Sequence, residues 1–304
     1  MISRRTLIKG VGAFSIGLAS LGGYALGFEP MRHRVTRYRL TPPGWTPGLT
    51  LRLAVIADIH ACKPWMSADR IADIAATANA LEPDATLLLG DYVAGKRISG
   101  YSNPVAAMDW ARALATLKAP LGVHAILGNH DWWEDAQVQR TRVGMTIAHR
   151  ALLDVGLPVY ENDALRLEKD GKPFWITGLG DQWAFLRRRQ PPDFRFTGYD
   201  GRDDLAGMLA KVTDDAPVIC MAHEPDIFVQ VPGRVALTLS GHTHGGQVRF
   251  GPFVPVVPSQ FGTRFVYGCI NEGGRDLVVS GGLGCSGLPI RFGMPPEITV
   301  VDLS

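Results

Sequence analysis

The sequence predicts a mixed α/β domain that begins at about residue 50. Short apolar runs rich in strand-forming residues alternate with stretches whose apolar residues recur at helical spacing. The 304 residues suffice for one large domain, and 35 glycines with 21 prolines indicate many short elements joined by tight turns. Repetition of strand, polar turn and helix is typical of a largely parallel sheet covered by helices.

The predicted strands of this domain are followed by polar turns. Residues 51–57 form the first strand, and Ser67 then caps a helix that Pro83 ends. Asn103-Pro104 is expected to open the next helix. The other predicted strands are residues 85–89, 123–127, 157–160, 164–167, 174–177, 217–221, 235–239, 277–280 and 298–303. In sheets of this kind, ligands bind just outside the carboxyl ends of the strands.

The first 28 residues are predicted to be separate from the fold. Arg4 and Arg5 precede residues 10–28, which carry no charge, and this layout is typical of an export signal. The paired arginines resemble a twin-arginine leader. An uncleaved membrane anchor is the alternative, because the uncharged run is about long enough to span a bilayer. Either interpretation predicts an exported domain, in the periplasm or on the outer face of the cytoplasmic membrane, with the twin-arginine export machinery as a partner.

Residues 29–49 are predicted to form a basic linker to a domain at residues 50–304. The arginines of the linker suit either contact with anionic lipid head groups at a membrane surface or a solvated surface; they are Arg32, Arg34, Arg37 and Arg39. The net charge of +2 gives no broad positive field, so nucleic acid is not an expected partner.

The four cysteines of the chain form no C-x-x-C pair, which argues against a structural zinc site. A disulfide between Cys269 and Cys285 would require an oxidising compartment, and the spacing alone does not establish it.

Metal-ligand residue types follow five of the predicted strands. They are Asp58 and His60, Asp91, Asn129 with His130 and Asp131, His223, and His242 with His244. A lone histidine is more often a hydrogen-bonded or surface residue than a ligand. Five such groups, all at one edge of a sheet, cannot be accounted for by treating each residue separately as a hydrogen-bonded or surface residue. The sequence therefore predicts a metal site at this edge.

The order of these groups resembles the calcineurin-like metallophosphoesterases, whose signature is D-x-H, G-D, G-N-H-[DE], H and G-H-x-H. The resemblance implies a four-layer α/β sandwich of two mixed β-sheets flanked by helices. It also implies that Asp58, His60 and His244 hold one metal ion, that Asn129, His223 and His242 hold another, and that Asp91 bridges them. The expected cofactors are two divalent ions, and this donor set suits borderline first-row ions such as manganese, zinc or iron.

The same resemblance predicts the reaction. Two ions about 3.5–4 Å apart can share a hydroxide that attacks a phosphate ester in line. His130 would act on the leaving oxygen as a general acid or charge stabiliser, and Asp131 would orient it. The alternative for His130 is a structural role behind the metal ligands. We therefore expect a metal-dependent phosphoesterase that cleaves diesters rather than monoesters.

Two further stretches, residues 241–247 and 282–293, resemble the exported YkuE/YaeI-type phosphodiesterases. Arg291 in the second stretch is predicted either to bind a substrate phosphate or to be a surface or core-capping arginine. Trp132 and Trp133 either line an apolar, lipid-facing cleft or belong to the core. The substrate is thus a phosphate ester, with a lipid-linked ester as one alternative.

Three rival functions follow from the same motifs. Related enzymes split UDP-2,3-diacylglucosamine, although that substrate is expected on the cytoplasmic side. A non-catalytic metal-binding scaffold at the membrane surface is opposed by the complete ligand set with His130. A nuclease of the same superfamily is opposed by the near-neutral charge and the leader.

Overall fold

Two β-sheets lie at the centre of the protein. The computed structural model describes residues 15–17, 19–95, 100–187 and 198–304. Within them the strands are, in chain order, β1 (Arg34–Leu40), β2 (Leu51–Ile56), β3 (Cys62–Lys63), β4 (Ala85–Leu88), β5 (Asn103–Pro104), β6 (Val123–Ala125), β7 (Asp163–Lys169), β8 (Lys172–Gly178), β9 (Phe185–Leu186), β10 (Tyr199–Asp200), β11 (Val218–Met221), β12 (Val235–Ser240), β13 (Gly268–Glu272), β14 (Arg275–Val279) and β15 (Glu297–Leu303).

Helices connect many of these strands. The α-helices in the same part of the chain are Ala68–Asn79, Ala107–Leu114, Asn129–Trp133, Ala136–Thr141, Ile147–Asp154 and Leu205–Leu209. Short 3-10 turns are Glu29–Met31, Pro225–Val229, His244–Gly246 and Gly262–Phe265, and Tyr24–Phe28 is a π-helical turn.

Both sheets have a parallel centre. The first has the strand order β1-β15-β2-β4-β6, and β2, β4 and β6 are parallel. The second has the order β13-β14-β12-β11-β8-β7, in which β8, β11, β12 and β14 are parallel and the edge strands are antiparallel to their neighbours. The predicted metal ligands follow the carboxyl ends of parallel strands in both sheets, rather than in one sheet as the sequence pattern suggested.

Apolar side chains fill the space between the two sheets. Leu53 and Leu87 of the first sheet belong to the same buried cluster as Ile219 and Leu237 of the second. Removing this apolar surface from water is the main favourable contribution to the packing of the sheets.

Helices and turns cover the outer faces. Ile71, Trp110 and Leu152 come from three helices and form a second buried cluster on the first sheet. Met208 and Phe228 belong to a third cluster, on the outer face of the second sheet. The order is helix, sheet, sheet, helix, so the predicted four-layer α/β sandwich is confirmed.

The helix Ala68–Asn79 shows why the sequence pattern was informative. The side chain of Ser67 caps it by accepting a hydrogen bond from the Arg70 amide. Ile71 and Ile74 recur at helical spacing and are buried against the first sheet.

Two predicted elements differ from the structure. The helix expected to open at Asn103 begins at Ala107, because Asn103–Pro104 forms β5 and pairs with β3. Residues 157–160 were expected to form a strand, but only Val159 makes an isolated bridge, to Ala125 of β6.

Residues 29–49 are not a separate linker, which corrects the predicted domain boundary. Residues 34–40 form β1, which pairs in parallel with β15 at the edge of the first sheet. The arginines of β1 are exposed, and Tyr38 and Leu40 face inward. The high arginine content made this segment look like a basic linker in the sequence. Glu29 is buried and accepts hydrogen bonds from the amides of Gly293 and Met294, at 3.1 and 2.7 Å. The folded unit therefore extends at least to Glu29.

The four cysteines are free thiols. Cys269 is exposed and Cys285 is buried, so the disulfide considered from the sequence is not formed.

Leu152→Ala is expected to lower the free energy of unfolding by about 2–5 kcal/mol, because it leaves a cavity under the helix Ile147–Asp154. Leu152 is 0% exposed and its neighbour Leu153 is 42% exposed. Leu153→Ala is therefore the matched control, and we expect it to cost less than about 1 kcal/mol. Urea unfolding followed by circular dichroism measures both, and equal losses would contradict the placement of this helix.

Candidate metal centre

Seven polar side chains converge where the carboxyl ends of the parallel strands of the two sheets meet. Asp58 and His60 follow β2, Asp91 follows β4, Asn129 follows β6, His223 follows β11, and His242 and His244 follow β12. All seven are buried. The structure therefore brings together every residue predicted as a metal ligand.

The first group consists of Asp58, His60 and His244. One ligand atom from each lies within 4.8 Å of the others. The Nε2 atoms of His60 and His244 are 3.1 Å apart, and Oδ1 of Asp58 is 3.9 Å from Nε2 of His244. Three donors of this kind are the protein contribution expected for one divalent ion.

The second group contains Asp91, His223 and His242, which also offer ligand atoms within 4.8 Å of one another. Asn129 belongs to this group, because its Oδ1 lies 3.2 Å from Nε2 of His223 and 2.9 Å from Nδ1 of His242. Amide oxygen, carboxylate and imidazole again form a donor set for a first-row divalent ion.

Asp91 lies between the two groups. Its Oδ2 is 3.4 Å from Nε2 of His60 in the first group and 3.3 Å from Nε2 of His223 in the second. A carboxylate in this position can contact both ions, which is the bridging place expected for it.

The side chains present fit two cations. Oδ2 of Asp58 and Nε2 of His242 are buried and have no hydrogen-bond partner, which is costly unless another group binds them. Burial raises the pKa of Asp58 to about 7 and lowers the pKa of His60 to about 4. A neutral imidazole is the form that binds metal, and a cation beside Asp58 offsets the cost of its buried charge.

Backbone carbonyls fix the orientation of two ligand rings. Nδ1 of His60 lies 3.1 Å from the carbonyl of Val93, and Nδ1 of His223 lies 2.6 Å from the carbonyl of Leu89. When Nδ1 donates to a carbonyl, Nε2 is left without a proton and faces the centre.

Five of the ligands have left-handed backbone conformations, with φ between 45° and 67°; they are Asp58, His60, Asp91, His242 and His244. Such conformations cost energy in residues other than glycine and concentrate at functional sites. The turns also need close backbone approach: a Cβ at Gly128 would lie 2.5 Å from Oδ1 of Asp91.

His130 lies beside the two groups, on the helix Asn129–Trp133. Its amide donates to Oδ1 of Asp91 at 2.8 Å, and its Nδ1 is 3.6 Å from Oε1 of Glu134. Burial by itself would lower the pKa of His130, but the negative charges of Asp91 and Glu134 outweigh burial and raise this pKa. His130 can therefore hold a proton close to the metal ligands.

Asp131 does not orient His130, which corrects the role expected for it. Its carboxylate accepts hydrogen bonds from the amides of Gly128, Asp91, Tyr92 and Val93, at 2.9 to 3.1 Å. It thus ties the turn after β6 to the turn after β4. The residue beside Nδ1 of His130 is Glu134, and its i,i+4 spacing from His130 was the available sequence signal.

Arg291 is 0% exposed, and the structure does not place it where it could contact substrate. Its guanidinium donates to the carbonyls of Gly281, Gly284 and Met294. Nη2 also lies 3.2 Å from Nδ1 of His244. Arg291 therefore acts through His244 and the surrounding loop, which corresponds to the core-capping alternative.

The two tryptophans after His130 have different surroundings. Trp132 is 1% exposed and packs in the core on the first sheet. Trp133 is partly buried beside the centre, with its ring centroid 5.1 Å from that of His130 and stacked on Tyr199 at 5.1 Å. Core packing thus applies to Trp132, whereas Trp133 packs beside His130 against the rings of Trp183 and Tyr199.

A buried carboxyl pair behind His223 was not found from the sequence. Asp181 and Glu224 lie within 4.8 Å of His223. Burial and then the neighbouring charge of Glu224 raise the pKa of Asp181 well above its usual range. The only sequence signal was that Glu224 directly follows a ligand.

Comparison with known proteins agrees with this geometry. Residues 51–246 match the family model described as calcineurin-like phosphoesterase, and they contain all seven predicted ligands. The metallophosphoesterase YkuE of Bacillus subtilis (strain 168) is 28% identical over 312 residues, which cover 99% of this chain and 98% of YkuE. The phosphodiesterase YaeI of Escherichia coli (strain K12) is 27% identical over 315 residues, which cover 100% of each chain. This chain belongs to the calcineurin-like phosphoesterase family.

Proposed function

We propose that this metal-dependent phosphoesterase hydrolyses phosphodiesters with two divalent ions. The observation that carries the proposal is the position of Asp91, whose Oδ2 lies 3.4 Å from Nε2 of His60 and 3.3 Å from Nε2 of His223. A carboxylate shared in this way keeps two ions close together, as in-line phosphoryl transfer requires.

The two ions, when bound, supply positive charge for the phosphoryl oxygens and lower the pKa of a water molecule towards neutrality. Asp58, His60 and His244 would hold the first ion, Asn129, His223 and His242 would hold the second, and Asp91 is placed to serve both.

His130 supplies the proton that the leaving alcohol needs. Its pKa is raised, which favours the protonated ring, and Glu134 stabilises that charge from the Nδ1 side. Nδ1 faces Glu134 and Nε2 lies 3.4 Å from Oγ of Ser286, so Nε2 is the nitrogen available to donate the proton. Donation from Nε2 neutralises the departing oxygen as the phosphorus–oxygen bond breaks.

The preference for a diester has two supports. YaeI, which resembles the chain over its full length, is named a phosphodiesterase. A monoester carries one more negative charge than a diester, and Arg291, the arginine proposed from the sequence to bind phosphate, is already bound to backbone carbonyls.

Export is part of the proposal. Its support is the sequence pattern of Arg4 and Arg5 followed by uncharged residues 10–28. Residues 1–14 lie outside the described part of the chain, and residues 15–17 and 19–23 are helical. Among the residues that are described, no helix combines the length and the apolar character needed to cross a bilayer. The proposed location is the periplasm or the outer face of the cytoplasmic membrane.

The purified protein is expected to bind two manganese, zinc or iron ions and to hydrolyse bis-p-nitrophenyl phosphate faster than p-nitrophenyl phosphate. Chelation should abolish both activities, and added ions should restore them. Asp91→Asn should lower kcat at least about 100-fold and reduce the metal content, because several kcal/mol of charge stabilisation depend on the ions. Asp109→Asn, at an exposed position on the helix Ala107–Leu114, is the control. Full activity after chelation, or preference for the monoester, would contradict the proposal.

Substitutions around His130 test the proton donor. His130→Ala should lower kcat by about 10²–10⁴-fold with the metal content unchanged. The active form is protonated, so activity is lost as pH rises through the raised pKa of His130. Glu134→Gln lowers that pKa, and the alkaline limb of kcat against pH should therefore move to lower pH. Glu168→Gln, at an exposed position, is the control. An unmoved limb in Glu134→Gln would show that Glu134 does not act on His130.

Replacement of Arg4 and Arg5 by lysine should keep the protein in the cytoplasm, because the twin-arginine route depends on the paired arginines. Cell fractionation of a carboxyl-terminally tagged chain measures this. The same exchange at Arg37 and Arg39 is the control, since both are exposed on β1. Unchanged export of the Arg4/Arg5 variant would exclude this route.

A further inference from the structure

An exposed apolar surface lies next to the metal centre. It consists of Tyr24, Leu26, Phe28, Phe250, Phe253 and Leu288, whose exposed fractions run from 42% for Tyr24 to 62% for Phe253. We call this surface the docking face. Large apolar side chains exposed together, rather than singly, mark a site of interaction with a partner or a membrane.

The aromatic rings of the docking face are in contact across three segments of the chain. Tyr24 stacks on Phe28 with ring centroids 5.4 Å apart, and its edge contacts Phe292 at 6.1 Å. Phe292 in turn lies 5.2 Å from Phe250. The backbones of Phe250 and Phe253 pair with each other. These contacts join the aromatic residues of the docking face into one surface.

The docking face reaches the edge of the metal centre through Gln247. The side-chain amide of Gln247 donates to the carbonyls of Ser286 and Leu288, at 3.1 and 3.0 Å, and its oxygen accepts from the Ser286 amide at 2.7 Å. Oγ of Ser286 lies 3.4 Å from Nε2 of His130. Leu288 is therefore exposed two residues from a contact with the proton donor.

The chain segments that carry the docking face are almost free of acidic residues. Residues 24–57, 242–271 and 281–296 contain one acidic residue, Glu29, and it is buried. Arg32 lies over the ring of Phe28 at 6.0 Å, and Arg249 directly precedes Phe250. Apolar side chains with arginines at the rim suit a surface that is apolar beneath and negatively charged above, as a bilayer with anionic lipids is.

The docking face also continues the uncharged segment of residues 10–28, since Tyr24, Leu26 and Phe28 belong to both. The end of this segment is bound to the folded domain: the carbonyl of Ala25 accepts from the Arg291 amide at 3.0 Å, and the carbonyl of Leu26 accepts from Nε1 of Trp65 at 2.9 Å. A bilayer that takes up the residues before Tyr24 would therefore lie against the docking face as well.

We propose that the docking face binds the surface of a bilayer containing anionic phospholipid and holds His130 and the metal centre close to the head groups. Phe250 and Phe253 enter the interface between head groups and acyl chains, and Arg32 and Arg249 contact lipid phosphates. Docking of this kind does not depend on the hydrolysis of diesters and is tested without it.

The first test places a fluorescent reporter on the docking face of the full chain. Phe253→Trp is compared with Leu153→Trp, since Leu153 is 42% exposed on the helix Ile147–Asp154. That helix is followed by Val159, which contacts β6, at the edge of the first sheet opposite β1. Vesicles of phosphatidylcholine with about one third phosphatidylglycerol are prepared with and without brominated acyl chains, which quench tryptophan by contact.

Brominated lipid should remove most of the fluorescence that Phe253→Trp adds to the wild-type signal and little of what Leu153→Trp adds. Equal quenching at the two positions, or failure of the chain to bind the vesicles, would overturn the proposal. Phe250→Trp replaces Phe253→Trp if the latter does not fold, as judged by circular dichroism. Because the reporter senses contact with lipid, binding by the leader alone cannot imitate the expected result.

The second test concerns charge. Arg32→Glu and Arg249→Glu should each weaken binding to the anionic vesicles by about tenfold or more at physiological salt, because each juxtamembrane charge contributes about fivefold and a reversal changes the charge by two units. Arg166→Glu, on the second sheet, should not. Hydrolysis of soluble bis-p-nitrophenyl phosphate is measured on the same preparations and should not change. Unchanged vesicle binding in Arg32→Glu and Arg249→Glu would overturn the electrostatic part of the proposal. If the wild-type protein does not hydrolyse bis-p-nitrophenyl phosphate, that result contradicts the proposed function and not the docking face.

Discussion

A carboxylate buried among imidazoles is the interaction on which the rest of this structure depends. Asp91 is 1% exposed and lies between His60 and His223. Burial alone would raise its pKa, but the surrounding histidines hold that pKa well below its usual range. Gathering so many polar groups away from water is unfavourable until cations bind them. The fold must therefore hold these side chains together before the ions arrive, and the elements around the centre serve that purpose.

The rigidity comes from the two packed sheets and from the turns that leave them. The apolar cluster between the sheets fixes the carboxyl ends of the parallel strands against one another. Asp131 then binds the turns after β4 and β6 through four backbone amides. Left-handed backbone at residues such as Asp58 and His242 is tolerated because the contacts of this framework hold the turns in place. The left-handed conformations direct side chains from both sheets towards one point.

The carboxyl-terminal loop completes the site from outside the region matched by the family model. Arg291 crosslinks this loop through its carbonyls and approaches His244, and Ser286 approaches His130. Glu29 binds the amides of Gly293 and Met294 in the same loop. The amino-terminal segment, the loop and the metal centre thus form one connected structure. Attachment to a membrane through the docking face would consequently fix the orientation of the active site as well as its location.

The sequence by itself determined which seven polar side chains lie together at the metal centre, because they follow short apolar strands in the order that resembles the calcineurin-like phosphoesterases. It also determined the α/β class and the helix capped by Ser67, which depend on periodicity and local hydrogen bonds. Only the tertiary structure decided the place of β1 and the burial of Arg291. It also decided that Glu134, and not Asp131, lies beside Nδ1 of His130. These outcomes depend on contacts between residues far apart in the chain, and composition and spacing carry no record of such contacts.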